Sequence, residues 1–243
     1  MNIETLFSLG YYVSTIGFLI ATVVTFNTAR TCSQSGLKTV LNYLFIGTGT
    51  FFVITIFQKM SSAGVFGISA ESTDIWWHIM FYVAMISLYI GFRALARLGS
   101  ADQTTAVSGD SSMVWGVITL VVLVTAFVFA SSSEPVMQAY ESSQLGALGA
   151  HHFVAFILAG VVGAYLFSAS LFLGQIGRAV ASPMIIAIWA FAGQHLWELL
   201  TESLNVVVVT SETIEGVEKI FLIIAAVCIT VAALRLKSLS KAS

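Results

Sequence analysis

Seven apolar runs alternate with short polar breaks along this chain, each run close to the length of a bilayer crossing. A spanning helix needs roughly 20 mostly apolar residues. The runs at about 5–27, 38–59, 75–98, 113–131, 147–173, 183–204 and 217–237 meet that length, separated by stretches such as RTCSQSG, SSAGVFGISAESTD, GSADQTTAVSGDSS and NVVVVTSETIEG. The pattern predicts an all-α integral membrane fold: one transmembrane domain over 1–243, a seven-helix bundle. The fourth run, WGVITLVVLVTAFVFA, carries hardly a polar group. It is expected to face lipid or a partner subunit.

Composition points the same way. Of 243 residues, 58% are hydrophobic and 9% charged, with a mean hydropathy of +0.94. Soluble domains carry about a quarter charged residues, so this chain lacks the polar surface to coat a globule in water. The net charge of −2 and the lack of a basic run argue against nucleic acid as a partner. Cys32 falls in a predicted loop and Cys228 in a predicted span, so no disulfide is expected. The N-terminus, MNIETLFSLG, has an acidic residue where a signal peptide needs basic ones, and it reads as the start of a retained first span.

Basic residues collect on the cytoplasmic side of membrane proteins. Arg30, Lys38, Arg93, Arg97, Arg178, Arg235, Lys237 and Lys241 share one side of the predicted topology. Lys59 and Lys219 fall on the other, with Glu71, Asp74, Glu134, Glu141, Glu212, Glu215 and Glu218. The expected orientation has the N-terminus outside and the C-terminus cytoplasmic, in a prokaryotic plasma membrane. Shifting the chain against itself by about 141 residues pairs Val13, Ile16, Phe26, Gln34 and Gly36 with Val154, Ile157, Phe167, Gln175 and Gly177. The same offset pairs Glu71, Ile79, Ala84, Leu95 and Leu98 with Glu212, Ile220, Ala225, Leu236 and Leu239. One offset serving two helix pairs suggests a three-plus-one-plus-three repeat, with units at about 5–98 and 147–239 joined by a linking helix at about 113–131.

Against this background the ionisable residues stand out. In GQHLWELLTESLN, His195, Glu198 and Glu202 follow one another at helical spacings of three and four. The topology sets His78, beside the pair Trp76–Trp77, and His151–His152 near the same outer face. All four histidines thus share one half of the membrane on three spans. The tryptophans are expected in an interfacial belt.

Charges at bilayer depth cost several kcal/mol unless paired, and they mark functional sites by default. Three readings fit the cluster. His78, His151, His152 and His195, with Glu198, bind a metal ion of the zinc, iron or copper kind. Alternatively two of the histidines ligate haem b between helices, in an electron-transfer subunit of a larger complex. Or the groups form a hydrogen-bonded knot that locks packing, as in a sensor or accessory subunit. Glu198 and Glu202 are the candidate proton relay, and a proton-coupled carrier or channel for small solutes is the rival class. Catalysis by this cluster stays open. Retinal is not expected: Lys219 lies near the end of its span, not at its middle as in the microbial rhodopsins, and the third span lacks balancing carboxylates. Lys219 reads instead as a snorkelling residue or a partner of Glu215. Gly47, Gly49, Gly160 and Gly163 read as close-packing positions. Pro135 and Pro183 are both expected at helix ends.

Overall fold

The computed structural model describes residues 3–65, 67–99, 134–171 and 173–242. Among these all regular structure is helical: α1 (Ile3–Thr31), α2 (Ser35–Ser62), α3 (Ala70–Gly99), two short helices α4 (Glu134–Glu141) and α5 (Gln144–Ala147), then α6 (Ala150–Ser170), α7 (Gly174–Glu198) and α8 (Ser211–Ala242). A π-helical stretch, Leu199–Ser203, extends α7. Six of these helices are long and apolar enough to cross a membrane. The expected crossing at 113–131 lies outside the described residues.

The six long helices close into a ring in which α1 packs on α2, α2 on α3, α3 on α6, α6 on α7, α7 on α8 and α8 back on α1. Short connections make α1, α2 and α3 antiparallel in turn, and likewise α6, α7 and α8. Asp74 and His78 of α3 meet His151 of α6, so the starts of α3, α6 and α8 meet the ends of α2 and α7 at one end of the ring, and arginines gather at the other. The interior is filled by stacked rings. Phe18 of α1 lies 5.3 Å from Phe51 of α2, and Phe51 lies 4.5 Å from Phe191 of α7. Phe81 of α3 meets Phe191 edge-on at 5.5 Å and Trp77 face-on at 5.5 Å. This aromatic column floors the histidine end.

Hydroxyl groups deep in the helices make few demands on their neighbours. Ser14, Thr25, Thr28, Thr50 and Ser87 donate to carbonyls four residues back on their own helices, which satisfies the hydroxyl hydrogen within the helix; Thr25 also meets Thr48 of α2 at 3.5 Å. Glycines bring backbones together where expected at two of four positions. A Cβ on Gly47 would lie 2.7 Å from Leu88, and one on Gly163 would press on Ile188 and Trp189 at 3.3 Å. A Cβ on Gly49 would be in ordinary contact with Thr22, and Gly160 faces open space.

Two expectations need correction. Pro183 lies well inside α7, which begins at Gly174. A proline has no N–H for the carbonyl four residues back, here that of Ala179. Arg235 of α8 supplies the missing donor, its Nη1 lying 2.6 Å from that oxygen, so the helix runs through the proline. The tryptophans, too, are not a lipid-facing belt. Trp76 and Trp77 are both buried, and Trp77 packs edge-on against His78 and His195. Cys32 and Cys228 are free thiols.

Candidate metal centre

Three helix termini deliver the ionisable side chains at the histidine end. His78 sits two turns into α3, His151 and His152 open α6, and His195 and Glu198 close α7. The start of α6 is held against the end of α7 by Gly149. Its φ of 63° is left-handed, a conformation side chains disfavour, and a Cβ there would collide with Ser203. The two termini approach closely because this residue has no side chain.

Three histidines converge on one carboxylate oxygen. Glu198 Oε2 lies 2.7 Å from His195 Nδ1, 3.1 Å from His152 Nδ1 and 3.9 Å from His78 Nε2. Its other oxygen, Oε1, accepts from Gln194 Nε2 at 2.8 Å. All four cluster residues are buried, and one ligand atom from each lies within 4.8 Å of the rest. A tetrahedral ion with donors at 2.0–2.2 Å holds them roughly 3.4 Å apart, a value the three observed separations bracket.

The protonation pattern follows from the partners. His78 Nδ1 is 2.9 Å from the Asp74 carbonyl and 3.4 Å from the Asp74 carboxylate. Both are acceptors, so Nδ1 carries a hydrogen, and in the neutral ring Nε2 keeps its lone pair. That Nε2 is buried without a hydrogen-bond partner. A ring whose far N–H is anchored by carboxylate and carbonyl, leaving a bare nitrogen inside, has the arrangement of a metal-ligating histidine. His195 Nε2 is buried and unpartnered as well, with its ring packed against Phe81 at 4.4 Å.

His151 belongs to a second group. Its Nε2 is 2.8 Å from Asp74 Oδ2 and its Nδ1 is 3.3 Å from the Tyr140 hydroxyl. Burial, with the Glu141 charge nearby, raises the Tyr140 phenol above its ordinary value, so the hydroxyl remains a donor. Tyr82 donates to the His151 carbonyl at 2.8 Å and fixes the first turn of α6. Asp74, His78 and His151 form a second set of close donor atoms. A cavity of about 370 Å³ leads to this set, lined by Asp74, Glu141, His151, His152, Glu202 and Ser203 among others. Glu202 stands 3.8 Å from His152 Nε2 and is half-exposed. The π-helical stretch carries it; such bulges are frequent at functional sites.

The structure thus brings His78, His152, His195 and Glu198 into one buried group, sets His151 beside it with Asp74, and leaves Glu202 at the cavity wall. Sequence reasoning missed Asp74 and Tyr140 as members. Asp74 had a signal: it precedes His78 by four residues, one helical turn. Tyr140 had none, because its contact depends on how the short helices fold back. Comparison with family models, characterised proteins and solved structures gives no match. The class therefore rests on fold and site alone: a helical, membrane-type bundle with a buried histidine–glutamate cluster able to hold a metal ion.

Proposed function

We propose that this chain is an integral membrane metalloprotein. His78, His152, His195 and Glu198 hold a transition-metal ion near one membrane face, expected to be the outer one from the distribution of basic residues. The observation that carries this reading is the bare, buried Nε2 of His78, aimed at the carboxylate that His152 and His195 already share. Imidazole and carboxylate donors suit zinc, iron or copper. The ion would act as Lewis acid or redox centre on a substrate reaching it through the cavity, and Glu202, on the cavity wall, would carry protons. Haem is the weaker occupant. The His78 ring centroid lies 4.7 Å from those of both His151 and His152 and 5.1 Å from that of His195, and rings in such contact leave no slot for a macrocycle.

Elemental analysis of protein purified in detergent tests the reading. Tightly bound metal is expected in the wild type and lost in His78→Ala and His195→Ala, while Lys59→Met retains it. Acid should release the ion, because protons compete for the same lone pairs. Wild type that takes up no metal after zinc, iron or copper loading would leave the cluster as a packing knot. A Soret band in the purified protein would restore haem.

A further inference from the structure

We propose that the centre holds two ions, with His78 shared between them and the second ion bound by Asp74 and His151 at the floor of the cavity. This rests on the metal reading of the buried group. The His78 ring lies between two carboxylates. Its Nε2 is turned to Glu198, 3.9 Å away, and its Nδ1 to Asp74, whose carbonyl lies 2.9 Å and whose carboxylate lies 3.4 Å away. Each carboxylate gathers further imidazole nitrogen: Glu198 has His152 and His195, and Asp74 has His151 at 2.8 Å. Asp74, His78 and His151 supply three donor atoms within 4.8 Å of one another.

The two compartments differ in access. The first is formed by buried side chains, of which His152 reaches the cavity wall. The second opens on the cavity of about 370 Å³, which Asp74 and His151 both line. Three protein donors, two of them on the cavity wall, leave a coordination position for water or an anionic oxygen ligand, the arrangement of catalytic rather than structural metal sites. Glu141 and Glu202 on the walls give the cavity an anionic lining that favours a cation.

The hydrogens rearrange without loss of balance. Neutral His151 moves its one hydrogen to Nδ1, where the Tyr140 oxygen 3.3 Å away accepts it, and presents the Nε2 lone pair. His78 gives up its Nδ1 hydrogen as a proton to water in the cavity and then offers one nitrogen to each ion.

Full-length protein in detergent, stripped of metal, is titrated with Zn(II), and bound metal per chain is counted after desalting. Two ions are expected in the wild type, and one in Asp74→Asn and in His151→Asn. Having two variants guards against one that fails to fold, and thermal melts confirm that each is native. One ion in the wild type, unchanged in both variants, overturns the second site and leaves the first standing. None in the wild type removes both. Loading with Cu(II) tests the shared ring: coupled ions give an electron paramagnetic resonance signal well below the copper content. A signal accounting for all the copper in a two-copper protein overturns the bridge.

Discussion

Lys219 and Glu198 are both buried at the same end of the bundle, yet their partners come from different places. Lys219 Nζ bonds Glu215 Oε2 at 2.6 Å, one turn back on the same helix, and that carboxylate is exposed. It also lies 5.2 Å from the Tyr11 ring, over which Lys59 sits at 4.8 Å. This is a buried cation with a local counter-ion, as the spacing of four predicted. Glu198 instead draws on three helices, with His78 from α3, His152 from α6 and His195 and Gln194 from its own α7. A local pair costs the fold little to keep. A convergent one must be specified by three helix termini at once, and it leaves bare nitrogens that local pairing would have covered.

Substitutions can break that contrast. The largest effect is expected at Glu198→Ala, which strips the acceptor from two histidines. Removing one partner of a buried charged set costs about 3–5 kcal/mol, so a large drop in thermal stability should accompany loss of metal. A melt like that of wild type would show that Glu198 is not the hub. Next comes Gly149→Ala, which combines left-handed strain of about 1–2 kcal/mol with the collision at Ser203. Adding Ser203→Gly should recover the steric part of the lost stability and none of the strain. No recovery would mean that the termini are not held by this approach.

Arg235→Leu should cost about 0.5–1.5 kcal/mol, the net worth of one hydrogen bond, because the exposed Ala179 carbonyl loses its donor. In a Pro183→Ala background, where a backbone N–H returns, the same change should cost measurably less. Equal costs in the two backgrounds would sever the link between proline and arginine. The smallest effect belongs to Glu215→Gln. An exposed partner contributes about 0–1 kcal/mol, and metal content should not change. A metal loss there would erase the distinction between the two assemblies.

Much of this was legible in the chain because bilayer length and helical spacing are properties of sequence. Six of the seven expected crossings appear as long apolar helices, and the one at 113–131 falls outside the described residues. The Glu215–Lys219 and His195–Glu198 pairs followed from one-turn spacing, and the grouping of histidines from three helices followed from depth along antiparallel spans. What stayed hidden depends on azimuth and on chain folding between helices. Depth alone cannot tell that His151 turns to Asp74 while its neighbour His152 turns to Glu198. Nor does a tryptophan pair reveal whether it faces lipid or core. Pro183 misled because the donor that covers its gap lies 52 positions away, on α8.

That donor has a wider consequence. Arg178 donates to the Ser170 and Leu171 carbonyls at the end of α6, and Arg235 to Ala179 within α7. Two of the basic residues tallied as signposts for membrane insertion are therefore also fasteners for backbone oxygens, one at a helix end and one at a proline gap. Deleting them to flip the protein in the bilayer would loosen it as well, and misfolding would pass for inversion. Reorienting this chain cleanly calls for adding positive charge at the histidine end while the arginines stay in place.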